Sequence, residues 1–179
     1  MKYLTAFFSL LYLGTLIAAE WPLAEIKIRT ADPANPIQKL AGRELEKHLH
    51  LIAGRRIPGE KYLFLIGVPA PDWKGKLERT EAHYAVRGCR VYFWGDDHAA
   101  GNADQFISHP QSRFGSLNAV YAFLESELGV KWLRPGDAGI AFEPREKLAL
   151  PERKDYNWVM PLEMTGARVY WWRDRLVRP

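Results

Sequence analysis

GSLNAVYAFLESELGVKWLRPG, residues Gly115 to Gly136, places Leu117, Val120, Tyr121, Leu124 and Leu128 at helical spacing. One face of a helix of about three turns is therefore apolar and needs a cover. Ser116 stands where an N-cap belongs, and Gly129 where a left-handed C-cap belongs. Val130 to Leu133 then reads as a short extended segment, stopped by Pro135 and Gly136. Helix, glycine stop and short strand form one unit, and its apolar face calls for a sheet.

The pieces of that sheet lie upstream. Glu25 to Thr30 alternates Ile26 and Ile28 with charged residues, as a half-buried strand does. Asn35 can cap a helix whose first residue is Pro36, where the missing N–H costs nothing. That helix is expected to run to Ala53 and stop at Gly54. Ile37, Leu40, Ala41, Leu45, Leu49 and Ile52 share its apolar stripe, while Lys39, Arg43, Glu46, Lys47 and His50 take the solvated side. Tyr62 to Gly67 is a continuous apolar run of strand length, which predicts an interior strand. Pro69 and Pro71 end it, and Asp72 to Glu81 reads as polar connection. His83 to Trp94 then forms a hairpin turning at Gly88-Cys89, with glycine first as a type II′ turn prefers.

That register pairs Val86 with Val91 and Tyr84 with Phe93 on one face, and Ala85 with Tyr92 and His83 with Trp94 on the other. Both faces are apolar. Helices cover the first, so the second, carrying His83, Ala85, Tyr92 and Trp94, is expected to be an interdomain face left open here and prone to self-association. The predicted class is α/β: a two-layer sandwich, with a mixed sheet of four to five strands and two helices on one face. Beyond Gly136 the chain reads as irregular, punctuated by Pro144, Pro151 and Pro161.

Length and composition bound the rest. With 179 residues the chain has room for one domain and a remainder. Lys2 followed by an uncharged apolar run from Tyr3 to Ile17, then Ala18 and Ala19, is the layout of a secretory signal peptide, with cleavage expected after Ala19. This divides the chain into a signal (1–19), an α/β domain (20–150) and a linker leading into a truncated second domain (151–179). Secretion or a periplasmic location follows, with no membrane association after cleavage. Cys89 is the only cysteine, so no intramolecular disulfide can form. A formal charge of +4, with both signs mixed along the chain, points to no nucleic-acid partner.

Sequence signatures of catalysis are thin. No serine-hydrolase elbow, phosphate-binding loop or zinc-protease motif occurs. His48 and His50, two apart on a helix, diverge and make a poor metal pair. Asp96, Asp97, His98, Asp104 and His109 are of the right type to gather round a divalent ion but match no ligand spacing, so a solvated loop is the plainer reading and neither metal nor cofactor is expected. Cys89, between Arg87 and Arg90, reads as turn filler. Glu125 and Glu127 diverge on the helix and cannot form an acid pair. In the tail, Tyr170, Trp171 and Trp172 stand among arginines, a mixture that suits stacking on a sugar ring or a partner, or the beginning of another domain.

Ala41, Glu44, Leu45, Leu49, Ile52 and Gly54, with Leu65 to Gly67, resemble the helix and following strand of a known family. Gly115, Ala119-Val120-Tyr121, Phe123-Leu124-Glu125, Leu128-Gly129-Val130, Lys131-Trp132 and Pro135 resemble its more specific motif. The family is the non-catalytic N-terminal α/β domain of glycoside hydrolases of the beta-hexosaminidase and alpha-glucuronidase type. The resemblance covers about Glu25 to Leu150, with departures at Gly42, Ala53, Asn118 and Lys131. Pro161 to Gly166 resembles the entry to the catalytic barrel, where Thr165 takes the place of a sugar-holding arginine. In the family, carboxylates on a (β/α)8 barrel of about 250 residues carry the reaction. The resemblance therefore implies a domain without catalytic residues, a fragment whose partner is a barrel absent from this chain. The contrasting expectation is a free-standing secreted module that binds carbohydrate or protein through its aromatic tail.

Overall fold

The computed structural model describes residues 19–55, 59–79, 81–102, 105–134 and 136–159. In chain order the elements are β1 (Ala19–Pro22), β2 (Ile26–Thr30), α1 (Pro36–Ala53), β3 (Tyr62–Ile66), β4 (Glu81–Arg87), β5 (Arg90–Gly95), β6 (Asp97–His98), β7 (Arg113–Phe114), α2 (Gly115–Ser126), β8 (Lys131–Trp132), β9 (Ile140–Ala141), β10 (Lys147–Leu150) and β11 (Arg153–Val159).

Helix α1 forms where its signals predict. Asn35 Oδ1 accepts the N–H groups of Ile37 at 2.9 Å and Gln38 at 3.3 Å, and Gly54 closes the helix at φ 64°. All six residues of its apolar stripe are buried. Each of the five leucines and isoleucines contributes about 1.5–3 kcal/mol relative to exposure, which is what holds α1 on the sheet.

The main sheet has the order β11-β4-β5-β3-β2. β2, β3 and β5 run parallel, while β4 and β11 are antiparallel to their neighbours. The hairpin register is the one its turn dictates: Tyr84 opposite Phe93, Val86 opposite Val91, Ala85 opposite Tyr92 and His83 opposite Trp94. Gly88, at φ 57°, supplies the left-handed residue of the turn.

Phe64, Ile66, Tyr84, Val86, Val91 and Phe93 lie in one core with both helices. Phe123 sits at its centre, edge-on to Phe64, Tyr84 and Phe93 with ring centroids 5.2–5.5 Å apart. The stripe read on α2 was too narrow. Ala119, Ala122 and Phe123 are buried as well, because the helix is wedged between the sheet and α1.

Three expectations are corrected. Ser116 is not the N-cap of α2; it lies inside the first turn, and Phe114 is the capping position without a side-chain cap. The chain after Gly136 is not merely irregular, since β8 pairs with β9 and β10 pairs with β1. Position 150 is not a domain boundary either, because β11 pairs with β4 along its whole length, from Arg153 opposite Arg87 to Val159 opposite Glu81. Its charged residues suit an edge strand, and they hid it from a search for apolar alternation. Tyr156 stacks on Tyr84 at 4.6 Å and ties β11 to the core. At the other end Trp21 of β1 is 1 % exposed and stacks on Tyr62 at 4.7 Å, so the residues next to the expected cleavage point are built into the domain.

Candidate functional site

The second sheet face was expected to be open, and it is covered. Leu65, Val68, Ala70 and Trp73 pack against Ala85, Tyr92 and Trp94 in a small second core. Trp94 and Tyr92 are each 4 % exposed, His83 is 8 % exposed, and Ala85 is fully buried. His83 stacks on Trp94 at 5.1 Å, and Trp73 meets Trp94 edge-on at 5.8 Å. The cover is Leu65 of β3 with the turn Val68 to Trp73, of which only Trp73 falls in the stretch, Asp72 to Glu81, expected to be polar connection. Arg87 anchors it by hydrogen-bonding Asp72 at 3.0 Å, and Arg153 reaches the same carboxylate at 2.6 Å. The reason for assigning these residues to an interdomain face, uncovered aromatics, is removed.

A polar centre lies at the carboxyl ends of β3 and β5. Asp97 Oδ1 accepts the Ser116 N–H at 2.7 Å, and Oδ2 accepts the Ser116 hydroxyl at 2.6 Å. Asp97 is thus the acceptor at the α2 N-terminus, reaching across from β6 in place of a local cap. Loss of hydration raises its carboxyl above the usual aspartate range, and hydrogen bonds from Ser116 and Gln38 oppose that rise. Gln38 in turn accepts the Asp32 N–H at 2.9 Å. Two glycines make the approach possible: a Cβ on Gly95 would lie 2.5 Å from the Gly115 Cα, and one on Gly67 would lie 2.3 Å from the Gln38 carboxamide. Asp97 was expected in a solvated loop, and its hydrogen bonds to Ser116 place it instead at the α2 N-terminus. In the structure Asp96 pairs with Arg113 at 2.5 Å, His98 is exposed, and His109 Nδ1 accepts the Gln111 N–H at 3.2 Å. Asp104 lies outside the described residues.

Two further polar groups are buried. Tyr84 donates to Glu127 at 2.5 Å, Ser126 lies 2.7 Å from the same hydroxyl, and Lys154 of β11 pairs with Glu127. Burial and the neighbouring carboxylate raise the Tyr84 hydroxyl well above the ordinary tyrosine range. Glu127 therefore serves as an anchor that ties the end of α2 to two strands. On α1, His48 is 2 % exposed and its Nδ1 donates to the Glu44 carbonyl at 2.8 Å, leaving Nε2 as the unprotonated nitrogen of the neutral ring. Nε2 is buried with no hydrogen-bond partner among the described residues. Beside it is a cavity of about 20 Å³, lined by Glu44, Tyr121, Trp132 and Asp137 among others. Burial lowers the His48 pKa. His50 is half-buried on the outer side.

None of these carboxylates is poised as a general acid over a cleft. Asp97 and Glu127 are engaged in structural hydrogen bonds, and Glu44 accepts from Tyr121 at 2.9 Å. Glu60, on the rim of an open groove of about 510 Å³ between β2 and α1, is held below the usual glutamate range by its hydrogen bond to Lys27 at 2.8 Å. A general acid needs the opposite shift. Cys89 is exposed in its turn, and Tyr170, Trp171 and Trp172 lie outside the described residues. Comparison of the chain with protein-family models, curated proteins and solved structures returned no match.

Proposed function

We propose that this chain is a non-catalytic accessory α/β domain of an exported glycoside hydrolase, supporting a catalytic barrel that carries out glycan breakdown. The observation that carries the reading is the fate of the motif in Gly115–Trp132. Val120, Tyr121, Phe123, Leu124, Leu128, Val130 and Trp132 are all buried. The residues that resemble the family are spent on building the core, as an accessory domain requires, and the partly buried acids around them are tied up in hydrogen bonds. Glycoside hydrolysis needs two carboxyl groups held roughly 5 to 10 Å apart across a bound sugar.

The apolar run before Ala19 supports export of the domain with its partner. The test is turnover of chromogenic hexosaminides and glucuronides by the purified chain, alone and with a barrel of that family supplied in trans. No turnover alone, with tighter folding or higher activity of the barrel when the chain is added, is the expected result. Hydrolysis by the chain itself, abolished by one Asp or Glu substitution, would refute the reading. Retention on insoluble polysaccharide without any effect on the barrel would favour a binding module instead.

A further inference from the structure

Strand β2 is one edge of the main sheet. The Ala31 N–H donates to the Ile66 carbonyl at 2.8 Å, so alternation along the parallel ladder turns the backbone groups of Lys27 and Arg29 toward β3 and those of Ile28 and Thr30 outward. The outward N–H and C=O groups of Ile28 and Thr30 have no partner among the described residues. They border the groove of about 510 Å³, whose opposite wall is α1 with Lys39 and Arg43. Both cations are exposed, and neither makes an ion pair or hydrogen bond with a described residue. Of the two carboxylates on the groove, Glu60 is taken by Lys27, and Glu46 lies 4.0 Å from His50.

We propose that this groove is a docking site for an extended acidic segment of a partner protein, which adds to β2 as a new edge strand. Backbone groups of Ile28 and Thr30 would supply the ladder bonds, and Lys39 and Arg43 the selectivity. The spacings agree. Lys39 and Arg43 are four residues apart, about 6 Å along the helix axis, and residues i and i+2 on one face of a strand are about 6.6–6.8 Å apart. Acidic side chains on alternate positions of the added strand can therefore meet one cation each.

Charge rules out the two nearest competitors. A second copy of the chain, pairing edge to edge, would bring a second Lys39 and Arg43 into the groove, adding like charge rather than complementing it. The chain's own segment beyond residue 159 brings Arg168, Arg173, Arg175 and Arg178 against only Glu163 and Asp174. The inference is independent of the glycosidase reading, since it concerns how a partner is held and not what the partner catalyses.

The experiment uses the full chain and a soluble peptide of alternating glutamate and threonine, about ten residues long, with a lysine–threonine peptide as control. The acidic peptide should bind in a salt-dependent manner and slow amide hydrogen exchange at Ile28 and Thr30. Lys39→Glu with Arg43→Glu should weaken binding by at least about tenfold, a loss of about 1.4 kcal/mol. Ile28→Pro, which removes an outward donor and leaves the ladder to β3 intact, should abolish the exchange protection. If Ile28→Pro misfolds, the charge-reversed exposed positions still decide the matter. Equal binding of both peptides, binding that leaves Ile28 and Thr30 unprotected, no binding of the acidic peptide, or self-association through β2 would each overturn the proposal.

Discussion

Asp97→Ala tests the capping of α2 by the first residue of β6. The substitution removes the acceptor of the Ser116 N–H and of its hydroxyl, 2.7 and 2.6 Å away. Loss of an N-cap acceptor costs about 0.5–2 kcal/mol. Ser116 is fully buried, so stranding its hydroxyl adds about 1–3 kcal/mol. The expected loss is about 1.5–5 kcal/mol, read as a fall in the urea midpoint followed by tryptophan fluorescence and circular dichroism together. Asp97→Asn keeps an acceptor oxygen and should lose much less.

The two substitutions also separate by pH. Because the Asp97 pKa is raised in the folded protein, its protonated form is favoured by folding. The stability tied to that form is full below the unfolded pKa, about 3.9, and is lost as pH rises through the folded value. Stability of Asp97→Asn relative to the native protein should therefore improve on going from pH 4 to pH 7. A loss below about 0.5 kcal/mol for alanine, or asparagine as damaging as alanine with no pH trend, would refute the capping argument.

Trp94→Ser should destabilise the domain by about 3–5 kcal/mol, since the ring is 4 % exposed between His83 and Trp73. Denaturation checks this, and sedimentation of the native chain is expected to show no dimer that depends on Trp94. The lowered His48 pKa makes the neutral ring the folded form, so its contribution is full above the unfolded pKa of about 6.5 and is lost as pH falls from there toward the folded value. Thermal melts from pH 7.5 to pH 5 should show this loss in the native protein and a smaller one in His48→Gln. The groups facing the ring, Glu44, Lys47 and Asp137, remain in both.

Elements with local signals were legible from sequence. Asn35, Pro36 and Gly54 bound α1 to the residue because each acts on backbone groups within a few positions. Gly88 fixed the hairpin register in the same way. What could not be read depended on contacts between distant positions. Asp97 lies nineteen residues from Ser116, whose N–H it accepts, so Ser116, local and of the right type, was the expected cap. β1, β10 and β11 are short or charged and exist because they pair, not because their own composition demands a strand.

The second face of the hairpin shows how far an area argument reaches. Two apolar faces do require two covers, and both are present. Sequence periodicity finds a cover only when it is a helix or a strand, and Val68, Ala70 and Trp73 are spaced among Pro69, Pro71 and Asp72 with no period at all. The demand for burial is met within the described chain, without a second domain. Since the described chain satisfies both faces of its own sheet, exposed apolar area is a weak basis for predicting what it binds. The surfaces that remain open to a partner are edges and charged walls. Of these, the β2 edge combines backbone groups and cations that have no partner among the described residues, and β11 offers the opposite edge with Arg153 already committed to Asp72. On the docking proposal, a partner guided by charge would be directed to β2.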